Sequence, residues 1–160
     1  EKTGSEDLVL STTGMISREV FIHNDRHQNF YMIGSRALHQ SYGMKGLVPS
    51  GPLYSEHQIK GGQIHLSFKN VGRGLMVGKK DGVNPTQDVK NGKLRHFSIA
   101  GEDKKWHWAE ARLEGDQVIL SSKAVKKPVA ARYAFTMNPA DANLYNIDGL
   151  PAAPFRTDDW

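Results

Sequence analysis

The chain has 160 residues, of which 38% are hydrophobic and none is cysteine, and its formal net charge is +4. This length suffices for one domain without a stabilising crosslink, and the lack of cysteine excludes disulfides, cysteine-ligated zinc and thiol nucleophiles. No stretch approaches about eighteen consecutive apolar residues and the first residues are polar, so neither a membrane span nor a signal peptide is expected in this chain. The basic pairs are dispersed among turn-forming residues, which argues against nucleic acid as a partner.

The first part of the chain is predicted to contain strands, a polar loop and a helix. Short apolar runs over residues 8–11 and 18–22 are typical of buried strands, and the polar, aperiodic cluster over 23–29 is typical of a loop. One amphipathic helix is predicted over residues 29–43, with an N-cap at its start and glycine just past its end. The apolar positions at helical spacing are Phe30, Ile33, Ala37 and Leu38.

Beyond a connector over residues 45–52, which holds two prolines and two glycines, the hydrophobic period becomes two. Ile64, Leu66 and Phe68 share one face, and Gly61-Gly62 precedes them, which predicts a hairpin. Several short strands separated by turns predict an antiparallel β-sandwich. The other predicted strands are 74–77, 94–99, 106–113, 117–121 and 129–136. An irregular segment is predicted over 143–160.

The polar loop contains the residues best suited to acid–base chemistry. A histidine two residues from an aspartate, between a strand and a helix, is placed as a general base would be, because a carboxylate orients the imidazole and stabilises its charged form. Asp25 and His27 are such a pair. A solvated loop with no catalytic role explains the same composition, so both interpretations remain open on the residues alone.

No cofactor or metal site is expected from the remaining polar residues. His23 and His27 lie four apart, but on a loop that spacing does not place them on one helical face. The chain has no G-x-S-x-G motif, no Gly-Asp-Ser block at its start and no glycine-rich phosphate loop.

The tryptophans Trp106 and Trp108 alternate with their neighbours and are therefore predicted to point to one face of a strand. In a sandwich such a pair belongs more often to the core than to a platform that stacks on sugars. A place in the core is therefore the favoured prediction, and the platform is the alternative.

Several blocks of the sequence resemble, in order, blocks of the sialate O-acetylesterase family of SGNH-type hydrolases. They begin with Ser50-Gly51-Pro52-Leu53-Tyr54 and the hairpin ending Leu66-Ser67-Phe68. The longer ones are residues 97–106 (FSIAGEDKKW), 128–134 (PVAARYA) and 143–158, with NLYN and GLPAAPFRTD. Together the blocks span most of residues 23–160.

The resemblance implies a mixed fold in two parts. Residues 1–46 would be the strand–loop–helix end of an α/β SGNH hydrolase domain, and residues 47–160 an antiparallel β-sandwich. The family's Asn-Asp-x-His-Pro loop corresponds to residues 24–28, so His27 resembles the catalytic base and Asp25 its orienting acid. Gln28 replaces the usual proline, and many SGNH hydrolases place the acid three residues before the histidine, where this chain has Asn24; His23 is the fallback base.

The family's nucleophilic serine and oxyanion-hole residues lie upstream of this loop, so the resemblance implies a partner, either a second chain or an upstream segment, that supplies them. The implied activity is serine-dependent removal of O-acetyl groups from an acetylated sugar, either sialic acid or a plant polysaccharide, in an extracytoplasmic location. The alternative is a non-catalytic β-sandwich that binds glycans or braces a neighbouring domain.

Overall fold

The computed structural model describes residues 9–11, 30–32, 48, 50–82 and 84–160. The chain divides into two compact units, Glu1–Ser50 and Gly51–Trp160. The second unit contains most of the described residues, and the two units are considered separately below.

In the first unit, β1 (Val9–Ser11) pairs in parallel with β2 (Phe30–Met32), with Leu10 opposite Tyr31. The strand predicted over 8–11 is therefore confirmed for its last three residues. The helix predicted over 29–43 is wrong at residues 30–32, because the adjacent aromatic residues Phe30 and Tyr31 favour an extended backbone and pair with β1. The rest of that helix, the strand over 18–22 and the polar loop lie outside the described residues.

The second unit is built from three antiparallel sheets. The strand order is β3-β4-β10-β9 in the first sheet, β13-β11-β7-β8 in the second and β12-β5-β6 in the third. The strands are β3 (Leu53–Lys60), β4 (Gln63–Lys69), β5 (Leu75–Lys79), β6 (Gln87–Asp88), β7 (Phe97–Ala100), β8 (Trp106–Trp108), β9 (Glu110–Glu114), β10 (Gln117–Ser121), β11 (Ala130–Tyr133), β12 (Leu144–Asn146) and β13 (Phe155–Arg156). The prediction of a β-rich antiparallel domain is confirmed, and no helix occurs in the part of the chain that the structure describes.

One hydrophobic core joins the inner faces of these sheets. Alternation places apolar side chains of β4, β7, β10 and β11 inward, as the period-two pattern requires. Tyr133 lies at its centre, with its ring centroid 4.5 Å from that of Phe97, and its hydroxyl accepts a hydrogen bond from the Leu144 amide. Burial raises the pKa of Tyr133 to about 12, so this phenol stays neutral at ordinary pH.

Two strand predictions and the prediction of an irregular segment differ from the structure in informative ways. The run predicted over 106–113 forms two strands, β8 and β9, which belong to different sheets and are separated at Ala109. Strand β7 begins at Phe97, because His96 adopts a left-handed backbone with φ of 62° that a strand does not accommodate. The segment predicted to be irregular contributes β12 and β13 to two of the sheets.

Among the described residues, no helix is long and apolar enough to cross a membrane.

Candidate functional site

The predicted catalytic residues His27 and Asp25 lie outside the described residues, as do Asn24, Gln28 and His23. Their roles therefore remain predictions. The described residues contain no group of three or more histidines and carboxylates that could hold a metal ion.

The tryptophans Trp106 and Trp108 are not in the core, so the favoured prediction for them is wrong. Trp108 is 66% exposed and Trp106 is partly buried on the outer face of the second sheet. The register explains this, because His107 lies opposite the fully buried Ile99, which assigns the inward direction of β8 to His107 and the outward direction to the two tryptophans.

Two further aromatic residues extend this outer face. Phe135 is 50% exposed and Trp160 is 40% exposed. The rings of Trp106 and Trp160 stack with their centroids 6.5 Å apart. We call this set of residues the aromatic surface: Trp106, Trp108, Phe135 and Trp160.

Cationic side chains hold the aromatic surface together. The Arg132 guanidinium lies 3.9 Å from the ring centroid of Trp106 and 5.0 Å from that of Phe135, so it is in contact with two of the rings. Lys104 lies 4.9 Å from the ring centroid of Trp160 at the other end of the row. Cations within about 6 Å of an aromatic face are attracted to it, which makes these ring positions more rigid than exposed side chains usually are.

A bidentate ion pair fixes the central arginine. Arg132 donates from Nε to Asp158 Oδ1 at 2.9 Å and from Nη2 to Oδ2 at 2.5 Å. The Asp158 carboxylate is fully buried, and the hydrogen bond from Arg132 holds the pKa of that carboxyl below its ordinary value. The same hydrogen bond raises the pKa of Arg132, so this pair stays charged at neutral pH.

The three longer blocks that carry the family resemblance meet at this point in the fold. Trp106 ends the first block, Arg132 lies in the second and Asp158 ends the third. Sequence reasoning missed the pair because Arg132 and Asp158 lie 26 residues apart, and no periodicity links β11 to the chain after β13. The signal that could have indicated the pair is that both residues lie in sequence blocks that carry the family resemblance.

His96 supports the far side of the aromatic surface. Its ring lies edge-on to Trp108, with centroids 6.1 Å apart and planes at 88°. Its Nδ1 atom is buried without a hydrogen-bond partner, and its backbone is left-handed. Buried polar atoms without a partner are rare in stable folds, and His96 Nδ1 is the one side-chain atom of this kind in the described part of the chain.

A second feature, the basic cleft, lies on the third sheet. It is an open cavity of about 550 Å³, and the described residues that line it include four cationic side chains and one carboxylate. The cationic residues, which define the basic cleft, are Lys79, Lys80, Lys93 and Arg95.

Asn143 fixes the walls of the basic cleft. Its Oδ1 accepts the Arg95 amide at 2.9 Å, its Nδ2 donates to the Lys93 carbonyl at 2.9 Å, and its carbonyl accepts the Gly78 amide at 2.9 Å. Gly78 allows the Tyr145 ring to lie against the backbone, because a Cβ at this position would sit 2.4 Å from Tyr145 Cδ2. The hydrogen bonds of Asn143 and the packing of the Tyr145 ring on Gly78 therefore hold the walls of the basic cleft in place.

No family model matches the chain. The chain is similar to the crystal structure of a carbohydrate acetylesterase from Xanthomonas citri, at 42% identity and a TM-score of 0.65, over 78% of this chain and 26% of that one. A stretch of 44 residues, 28% of the chain, is 39% identical to 23% of the β subunit of sulfopyruvate decarboxylase from Methanocaldococcus jannaschii. The chain therefore spans about a quarter of the length of each protein. The structural match covers more residues than Gly51–Trp160 holds, so it includes part of the first unit.

Proposed function

We propose that the chain is part of a carbohydrate O-acetylesterase. The observation that carries the proposal is the 42% identity, over 78% of this chain, to a carbohydrate acetylesterase. The decarboxylase match covers only 28% of the chain. A carbohydrate esterase also agrees with the family resemblance of the sequence blocks, which implies activity on acetylated sialic acid or plant polysaccharide outside the cytoplasm.

The proposed mechanism divides the work between this chain and an upstream segment or partner chain. A serine of that other part attacks the acetyl carbonyl, and His27 takes the serine proton as general base. Asp25 orients the imidazole and stabilises its protonated form. Hydrogen-bond donors of the other part stabilise the oxyanion, and His27 gives the proton to the sugar oxygen as it leaves, which becomes a hydroxyl. His27 then takes a proton from water, which attacks the acetyl-serine, and returns it to the serine oxygen as acetate is released.

The first experiment measures acetate release from O-acetylated oligosaccharides by the whole protein, including any second polypeptide that intact-mass measurement finds to co-purify. We expect acetate release that an organophosphate reagent abolishes, because the reagent phosphorylates an activated serine. The mass of the labelled polypeptide identifies the chain that carries the serine. Failure to release acetate from both acetylated sialic acid and acetylated plant oligosaccharides would contradict the proposal.

A second function is supported by the aromatic surface: the β-sandwich binds glycans non-catalytically. Four aromatic residues lie on one outer face, where Arg132 contacts the rings of Trp106 and Phe135, Lys104 that of Trp160, and His96 that of Trp108. Aromatic side chains have few rotatable bonds and so lose little conformational entropy on binding. The C–H face of a sugar ring fits such a ring. Bracing of a neighbouring domain is the competing use of the same surface.

We expect the Trp108→Ala variant to bind acetylated and plain oligosaccharides at least about tenfold more weakly than wild type in isothermal titration. The reason is that tryptophans which become buried on binding are among the residues that contribute most to binding energies. Ile59→Ala is the matched control, because Ile59 is 49% exposed on a strand of another sheet. Equal affinities of wild type and Trp108→Ala would reject this glycan surface. If no glycan gives a heat of binding, the aromatic surface would instead be assigned to bracing a neighbouring domain.

A further inference from the structure

The basic cleft differs from the other charged surfaces because its charges surround a cavity. Lysine pairs elsewhere, such as Lys126 and Lys127, are exposed in turns and do not line it. Cationic groups around one concave volume raise the local potential and concentrate anions there. A cavity of about 550 Å³ is in the range of ligand sites, which is about 300–1,000 Å³.

The cationic groups of the cleft are not neutralised within the described fold. Arg95 approaches Asp141 at 3.4 Å, but both side chains are more than 60% exposed, so their interaction is weakened by solvent. The Lys80 ammonium donates to the Asn84 carbonyl at 2.6 Å, which orients it without cancelling its charge. Four cations against one carboxylate leave a net positive cleft that an anion would complete.

We propose that the basic cleft binds an acidic polysaccharide, a sugar polymer with repeated carboxylates, and so holds the protein on it. Lys79 and Lys93 would attract the carboxylates, and Arg95 has the planar fork that matches a carboxylate. The Tyr145 ring and the exposed Val89 side chain supply apolar surface for the sugar C–H groups.

The lining of the cleft favours a sugar polymer over a nucleic acid. Asp141 is a hydrogen-bond acceptor, and each unit of a sugar polymer carries free hydroxyls that can donate to it, whereas the backbone of DNA has none. Nucleic-acid sites combine basic residues with several aromatic side chains that stack on bases, and Tyr145 is the aromatic residue among the described residues that line the cleft. The choice of a sugar polymer rests on the proposed function. The choice of an anionic ligand rests on the cationic side chains of the basic cleft.

The experiment measures binding of polygalacturonate to the whole protein by isothermal titration at low and moderate salt. We expect binding that weakens as salt rises, because exposed charge pairs are screened. The double variant Lys79→Gln with Lys93→Gln should bind about tenfold more weakly. Lys126→Gln with Lys127→Gln removes the same charge outside the cleft and should bind as wild type does.

Four outcomes would overturn the inference. They are binding by the cleft variant within about twofold of wild type, an equal loss in the Lys126 and Lys127 variant, comparable binding of uncharged dextran, and tighter binding of single-stranded DNA. Catalysis is not involved in this measurement. Acetate release from neutral acetylated oligosaccharides should be unchanged in the cleft variant, so the binding inference and the esterase proposal fail separately.

Discussion

Replacing His27 with alanine should lower kcat/KM for acetate release by about 10³-fold or more, because the serine hydroxyl is a weak nucleophile without a base to take its proton. The whole protein, with its upstream segment or partner chain, is compared with His27→Ala on one acetylated oligosaccharide.

His23→Ala is the matched control, since it removes the other histidine of the same polar loop. We expect it to retain kcat/KM within about tenfold of wild type. A large loss in His23→Ala together with a small one in His27→Ala would assign the base to His23. Activity of His27→Ala within about tenfold of wild type would remove the basis for a His27-dependent mechanism altogether.

Replacing Asp158 with alanine should lower the free energy of unfolding of the second unit by about 3 kcal/mol, because it leaves the largely buried Arg132 without its bidentate partner. Urea unfolding followed by tryptophan fluorescence measures this directly, since all three tryptophans lie in that unit. Asp141→Ala is the control, because Asp141 and Arg95 are both well exposed and their pair should contribute less than about 1 kcal/mol.

The stabilisation by Asp158 should also depend on pH in a defined direction. Its pKa is lowered in the folded protein by the hydrogen bond from Arg132, so its contribution is fully present above the unfolded pKa of about 3.9. The contribution is lost as pH falls through the lowered folded pKa. The stability difference between wild type and Asp158→Asn should therefore be greatest near neutral pH and shrink below about pH 4. A difference that stays constant down to pH 2 would contradict the ion-pair explanation.

The parts of the fold that sequence could predict are those governed by local pattern. The hairpin of β3 and β4 follows directly from Gly61-Gly62 between period-two runs, and the structure pairs Ile59 with Ile64 across that turn. Strand β10 matches its predicted range, because apolar residues and flanking turns define it completely. In both places the hydrophobic period and the turn residues agree.

The predictions that failed depend on pairing between distant residues. The direction in which the two tryptophans point depends on which side of β8 faces Ile99. The alternation of residues along a strand does not reveal which of its two faces is turned to the core. Strand β13 is two residues long and exists because Arg156 and Phe155 pair with β11, which no local pattern indicates. Strand β2 pairs in parallel with β1, some twenty residues earlier, and this pairing outweighed the helical spacing of its apolar residues.

The candidate site divides in the same way. The aromatic residues could be identified from the sequence. Their contacts with Arg132, which Asp158 positions, are visible only in the three-dimensional structure. The basic residues of the cleft lie in two separate stretches of chain, residues 79–80 and 93–95, and Asn143 of a third stretch connects them. The polar loop with His27 and Asp25 could be recognised from the family resemblance, and it remains a sequence-based hypothesis.

Ala109 connects two sheets of the second unit through a single residue. Its amide donates to the Phe97 carbonyl, so it stays bonded to β7 while the next residue begins β9 in another sheet. The β9–β10 hairpin closes over a short loop and can form early, because short loops cost little entropy to close. The one-residue link at Ala109 therefore ties the position of β8, with its two tryptophans, to the β9–β10 hairpin of the other sheet. A shift of that hairpin would be transmitted directly to the aromatic surface.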